Sequence, residues 1–433
     1  MMEEILKDEE SFVKLSESIR SKLTELFPIT SKWSIYRVND NLRSVNNDAY
    51  SPHIISIGPL HHGKENLVVM EEQKLRYMQS FLQRTEDPEK SLEYCVETIL
   101  GFGEEARACY SGPITDYNDV ELGEMLLLDG CFIVELFLRN SYDSEEKLND
   151  PIFTSAWMIP SLQRDLALLE NQIPFFVLEF LFQVIRRKKL DDYLITLVLH
   201  FFKPILCISE EMFMRKRSLI STNSRHLLDV IHYSFLPLDD DDLKKRRRRN
   251  GGSWELIHSA TALREAGIRF EKKKTNNLFD FKFRNGVFKI PPLHVHVSTD
   301  SLFRNMIAFE QCCHDRSYIA SYCILMDRLI DTAKDVELLE HQQIIENGLG
   351  ACEDVATLFN NISKHVTLKE FYFAGLCDQV YEYYDTPWYR YKAALRRDYF
   401  TNPWSIISFI AAIVLLFLTA LQSAYSVFSY YHR

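Results

Sequence analysis

The sequence predicts a mainly α-helical protein: a large helical domain, a small β-hairpin insertion and one C-terminal transmembrane helix. Three observations carry this. Gly and Pro together supply 28 of 433 residues, about half the roughly 12% of average usage, too few for a turn-rich β-sandwich. Apolar residues recur at spacings of three and four along most of the chain. Residues 399–431 form a run of 33 without a charged side chain. The 46% hydrophobic and 26% charged content is that of a folded chain. A net charge of −11 argues against a broad nucleic-acid surface.

Residues 1–32 read as an N-terminal amphipathic helix. Phe12, Leu15, Ile19, Leu23, Leu26 and Phe27 mark one stripe, and Pro28 ends it. The helical core then runs in two parts, 33–236 and 254–385. Its first part opens with a turn-rich stretch, 33–63, containing Asn39, Asn46, Pro52, Gly58, Pro59 and Gly63. Helical spacing returns over 66–84, 89–110, 119–140, 159–187 and 190–202, with a break near Asn171 to Pro174. Residues 237–253, four acids followed by the basic run 244–249 and Gly-Gly, read as a mobile charged loop. In the second part, apolar and polar residues alternate around Asn285-Gly286. That dipeptide supplies the two positive φ angles of a type I′ turn. It predicts a hairpin near 279–290, with strands at 279–284 and 287–290. Helices resume over 300–347 and 352–384.

The last two segments are a basic juxtamembrane stretch, 386–403, with Arg390, Lys392, Arg396 and Arg397, and a transmembrane helix, 404–427. Eleven of the sixteen residues 406–421 are Ile, Leu, Val or Phe. At roughly −0.3 to −0.6 kcal/mol each they favour insertion by on the order of −3 to −6 kcal/mol. Ile406, Phe409, Leu415, Leu418 and Leu421 lie in the anchor, and Trp404 and Tyr425 stand at headgroup level. Basic residues precede the span, and only Arg433 follows it. The positive-inside rule therefore puts the N-terminal domain in the cytosol, with the lipid bilayer as a partner and the particular membrane left open. Nine Cys, an odd number with no C-x-x-C, fit buried thiols in a reducing compartment. The N-terminus shows no signal peptide.

Neither phosphate-binding glycine loops, a nucleophile elbow nor a zincin helix occurs. His61-His62, His294 with His296, and Cys312-Cys313-His314 lack the spacing of a metal site. No metal and no cofactor is therefore expected. Two acidic segments remain. Asp165, Glu170, Asn171, Gln172 and Pro174 set polar groups in a very apolar stretch. They read either as an acid/base pair or, preferably, as a polar knot capping helix ends. Asp129-Gly130-Cys131, with Glu135 one turn on, reads as buried acids paired to bases elsewhere.

These segments together resemble the plant DUF247 family, also catalogued as UPF0481. The resemblance rests on Ile35-Tyr36-Arg37-Val38, Gly58-Pro59-Leu60-His61-His62-Gly63, Met70-Glu71 with Lys74, Asp129-Gly130-Cys131-Phe132 and Asp165 to Phe175. It continues through Asn305 to Glu310, Asp331 to Val336 and Asn402-Pro403-Trp404. Asn39 stands where the family pattern has proline. The resemblance implies a plant protein with a cytosolic helical domain and one C-terminal span. It carries over no catalytic residue and no ligand, and for some grass members it implies self-incompatibility-type recognition. The expected function is a membrane-anchored, non-catalytic interaction or signalling component with a cytosolic protein partner. The alternatives are an enzyme with a carboxylate site and a lipid-binding scaffold.

Overall fold

The computed structural model describes residues 2–24, 33–141, 145–185, 193–206, 220, 224–237, 257–275, 277–312, 317–387 and 403–431. It is mostly helical, as the composition and periodicity require. The expected charged loop, the basic residues Arg390, Lys392, Arg396 and Arg397, and Cys313-His314 lie outside the described residues.

In chain order the first helices are α1 (Met2–Thr24), α2 (Asp40–Val45), α3 (Val69–Gln83), α4 (Pro88–Gly101), α5 (Gly103–Ala108) and α6 (Asp119–Ser141). Next come α7 (Glu145–Leu148), α8 (Pro151–Thr154), α9 (Met158–Asp165), α10 (Phe175–Ile185), α11 (Leu194–Leu206), α12 (Leu227–Phe235) and α13 (Ala260–Glu265). Strands β1 (Arg269–Lys272), β2 (Lys282–Arg284), β3 (Val287–Ile290) and β4 (Leu293–Val295) follow. The chain continues with α14 (Thr299–Cys312), α15 (Tyr318–Leu329), α16 (Ala333–His341), β5 (Ile345–Asn347), α17 (Cys352–Ile362), α18 (Ala374–Asp385) and α19 (Pro403–Tyr431).

The chain divides into two compact units, each discontinuous in sequence. The first comprises Met1–Asn39, Tyr50–Phe202 and Ile220–Ile231. Its centre is α6, on which α3, α4 and α10 pack. Nearly every residue of α6 from Leu122 to Leu138 is buried, the pattern of a helix apolar all round. Gly130 makes the α10 contact possible: a Cβ there would stand 2.4 Å from Leu181 Cδ1. Asp87 and Asp150 cap α4 and α8, each followed by Pro at the first helical position, where no N–H is needed. The expected break within 159–187 is present: the stretch forms two helices, α9 and α10, and residues 166–174 lie between them.

The second unit comprises Asp40–Ala49, Lys203–Leu219 and His232–Arg433. The Asn285-Gly286 turn is present, with φ of 51° and 73°, and β2 pairs antiparallel with β3 across it. The first strand is shorter than expected. Residues 279–281 leave the ladder because Phe279 and Phe281 are buried among Tyr322, Tyr372 and Phe373. The β content also exceeds a hairpin: β1 adds to β3 in parallel, and β4 pairs in parallel with β5. The expected helices over 300–347 are α14, α15 and α16, and the stretch ends in β5 where helix was expected. Among the described residues, seven cysteines are free. Burial raises the thiol pKa of Cys95 to about 11 and that of Cys377 to about 12.

Asp335 closes the start of α16. Its carboxylate accepts from Thr332 N (2.9 Å), Thr261 N (2.7 Å) and Thr261 Oγ1 (2.8 Å). Burial alone would raise its pKa, but these donors outweigh it and hold the group below its usual value. A depressed carboxylate stabilises the fold fully above its unfolded pKa of about 4, and that stability is lost as pH falls through the folded value. Urea unfolding of the full chain in detergent is expected to show a decline in stability below about pH 4, and Asp335→Asn a shallower one. An unchanged acid limb in the variant contradicts the assignment.

Candidate functional site

The candidate residues Gly58, Pro59, His61, Asp129, Gly130, Asp165, Glu170, Asn171, Gln172 and Pro174 come together in the first unit, around the irregular segment 50–63. This segment crosses the interior without regular structure. Ile55, Ser56, Ile57, Gly58 and Pro59 are buried, so their backbone groups cannot turn to water and need protein partners. Side chains supply them.

Asp165, at the C-terminal end of α9, accepts from the amides of His53 (2.9 Å), Ile54 (2.8 Å) and Ile55 (3.2 Å). Asn171 Oδ1 accepts from Ile57 N at 2.7 Å, and its Nδ2 donates to Ile55 O at 3.1 Å. Asp129 Oδ2 accepts from Gly58 N at 2.7 Å. Gly58 itself has φ +70°, and a Cβ on it would lie 2.4 Å from the Gln172 carbonyl oxygen. Both facts require glycine. Glu170 Oε1 accepts from Val38 N at 2.7 Å, and its Oε2 stands 3.5 Å from His61 Nε2. Gln172 Nε2 donates to Leu166 O and Leu168 O, both at 2.8 Å, closing the turn between α9 and α10. Pro174 precedes α10 and has no N–H to satisfy.

Asp129 also faces a cation. Lys74 Nζ lies 2.6 Å from Asp129 Oδ1 and 2.8 Å from Glu71 Oε1. Lys74 and Asp129 are each 1% exposed. Burial alone would lower Lys74, but the two facing carboxylates outweigh it and hold the ammonium above its usual value. Burial pushes Asp129 upward against that same ammonium. Sequence reasoning named Lys74 only as part of a family segment. Its signal was its position: Met70, Lys74, Tyr77 and Phe81 form the buried stripe of α3, so a lysine stands where periodicity demands a core residue.

A second polar group lies further along α6. Glu135, 0% exposed, receives Arg84 through Nε (2.6 Å) and Nη2 (2.8 Å), and Arg139 Nε at 2.7 Å. Arg139 continues to Asp150 at 2.7 Å, and the Tyr77 hydroxyl donates to the same Asp150 oxygen at 2.5 Å. In the second unit, Glu310 accepts from Ile319 N and Ala320 N, both at 2.9 Å, capping α15, and from His232 at 2.8 Å. Asn305 Nδ2 donates to Ala49 O at 2.8 Å. His294 pairs with Glu346 at 2.8 Å and stacks on His296. Among the described residues no cluster of three or more His, Cys, Asp or Glu could hold a metal ion.

Thus the motif residues build a buried hydrogen-bonded framework. The protein is mainly helical, with its acidic motifs turned to its own backbone and an apolar helix at its C-terminal end. Residues 35–418 match DUF247, described as plant protein of unknown function, and the chain belongs to that family. It is similar to UPF0481 protein At3g47200 of Arabidopsis thaliana, 31% identical over 422 residues, covering 92% of this chain and 86% of that one. It is also similar to Putative UPF0481 protein At3g02645 of Arabidopsis thaliana, 24% identical over 495 residues, with coverage of 92% and 91%. No solved structure matches.

Two expectations follow. Lys74→Met leaves Asp129 buried without its cation and should cost about 3–5 kcal/mol of unfolding free energy. Adding Asp129→Asn, whose amide oxygen still accepts from Gly58, should recover part of it; a double variant no better than the single one refutes the pairing. Gly58→Ala should cost more than about 2 kcal/mol, from the positive φ and the backbone clash together. Both are read by denaturant titration of the full chain in detergent.

Proposed function

We propose that this DUF247 chain is a single-pass membrane protein whose N-terminal domain lies in the cytosol and works as a non-catalytic interaction or recognition component. The observation that carries the reading is helix α19. It holds 22 consecutive residues, Ile407–Phe428, long and apolar enough to cross a membrane, with none of them buried. A helix of 22 residues is about 33 Å long, against a hydrocarbon core of about 30 Å. Phe409, Leu415, Leu418 and Leu421 are exposed, as a lipid-facing surface requires, and so are Trp404 and Tyr425 near the ends. The basic residues at 390, 392, 396 and 397, on the N-terminal side, support a cytosolic domain.

The non-catalytic reading draws support from the acids. A general acid or base needs hydrogen-bond reach of a substrate. Asp129, Asp165 and Glu170 instead lie buried, with their oxygens on backbone N–H groups, the Lys74 ammonium and the Arg164 guanidinium. An interaction component needs only a presented surface, and a firm anchor fixes that surface at one membrane face.

The test is carbonate extraction and protease protection on microsomes, comparing the full chain with one ending at Asp398, both tagged at the N-terminus. The expected result is a pelleted full chain, a digested tag and a soluble short form. A pelleted short form or a protected tag overturns the topology.

A further inference from the structure

The first unit carries two apolar surfaces that are open among the described residues. One is a groove of about 370 Å³ between α3, α4 and α6. Its rim is made by Leu75, Val96, Leu100 and Val120, which are 56%, 40%, 42% and 66% exposed. Gly123 lies in its floor, where a Cβ would stand 3.1 Å from Leu100 Cδ2, so the floor is as deep as the helices allow. The other surface is on α1. Phe12, Leu15, Ile19 and Leu23 follow at steps of three, four and four, which puts them on one stripe. All four are exposed.

The charges around these surfaces are complementary. At 100° per residue, Arg20 and Lys22 flank the α1 stripe on opposite sides. Residues 12–24, which hold the stripe, carry three cations and one acid, whereas residues 2–11 of the same helix carry one cation and five acids. The groove is bordered by acids: Glu124 lines it, and Glu93 stands on α4 one turn before Val96. Both are exposed, and neither has an ionic partner among the described residues.

We propose that the groove between α3, α4 and α6 receives helix α1 of a second copy of this chain, with the apolar stripe inside and Arg20 and Lys22 on Glu93 and Glu124. This is helix-in-groove recognition, read by anchors at i, i+3, i+7 and i+11. Among the described residues of one chain the groove and the stripe are open together, so α1 does not fill the groove of the chain that carries it. Every copy has both surfaces, so a reciprocal exchange closes as a two-fold dimer. The inference goes beyond the membrane assignment, since both surfaces belong to a unit that excludes α19.

The test uses full chains, one bearing Ile19→Cys and the other Val96→Cys, with different tags, co-expressed and extracted together in detergent. Mild oxidation is expected to give an adduct of twice the chain mass that needs both substitutions and disappears on reduction. The pair Glu93→Lys and Glu124→Lys should lower its yield at least about fivefold, and Arg20→Glu with Lys22→Glu on the other chain should restore it. No adduct, or an adduct insensitive to charge reversal, overturns the proposal. So does a chain bearing both cysteines that closes only on itself, which would put α1 in its own groove.

Discussion

The first unit depends on one constraint: an irregular stretch of backbone enters an apolar interior at Ile55 and stays buried through Pro59, and its N–H groups need partners there. A buried amide without a partner forfeits about 1–3 kcal/mol, and losing several would cancel a large part of a domain's stability. Regular structure answers this demand with backbone carbonyls. Here Asp165, Asn171 and Asp129 answer it with side chains. A carboxylate is suited to the task because its two oxygens accept several bonds, and bonds to a charged acceptor are stronger than neutral ones. The turn between α9 and α10 follows from the same demand. It presents Asp165 and Asn171 to this backbone and Glu170 to the Val38 amide, while Gln172 holds the turn itself.

Burying these acids has a consequence for the helices around them. An isolated charge in the core is far too costly, so each acid draws a cation inward. Lys74 answers Asp129, and Arg84 and Arg139 answer Glu135. The Lys74 and Arg84 contacts join α3 and the residue that ends it to α6, and Arg139 reaches Glu135 from within α6. A shift of α3 by one turn would leave Lys74 without its acid and Glu135 without Arg84. The ion pairs therefore fix a register that apolar packing alone would leave less certain.

Much of this was legible in the sequence where a local signal exists. Asn285-Gly286 announces its turn because few other dipeptides accept two positive φ angles. The break before Pro174 and the C-terminal apolar run are likewise local. The parallel pairs β1–β3 and β4–β5 were not legible: three- and four-residue strands have no periodicity to speak of, and their partners are distant in sequence. Helices α12 and α13 were too short to stand out. In the polar cluster, the residues were identifiable as buried groups needing partners, but the partners were not. Asp129 and Lys74 are 55 positions apart, and the hydrogen-bond partners of Asp165 are backbone amides, which any sequence supplies.

The central claim is that the acidic motifs hold buried backbone, and hydrogen exchange measures this directly. A peptide covering residues 53–58, followed by mass spectrometry in the full chain, should be protected to the same degree as the middle of α6. In Asp165→Asn that protection should fall, with α6 itself much less affected. Exchange of the native segment at the rate of a solvated loop would contradict the account, because the amides would then be free of the carboxylates said to hold them.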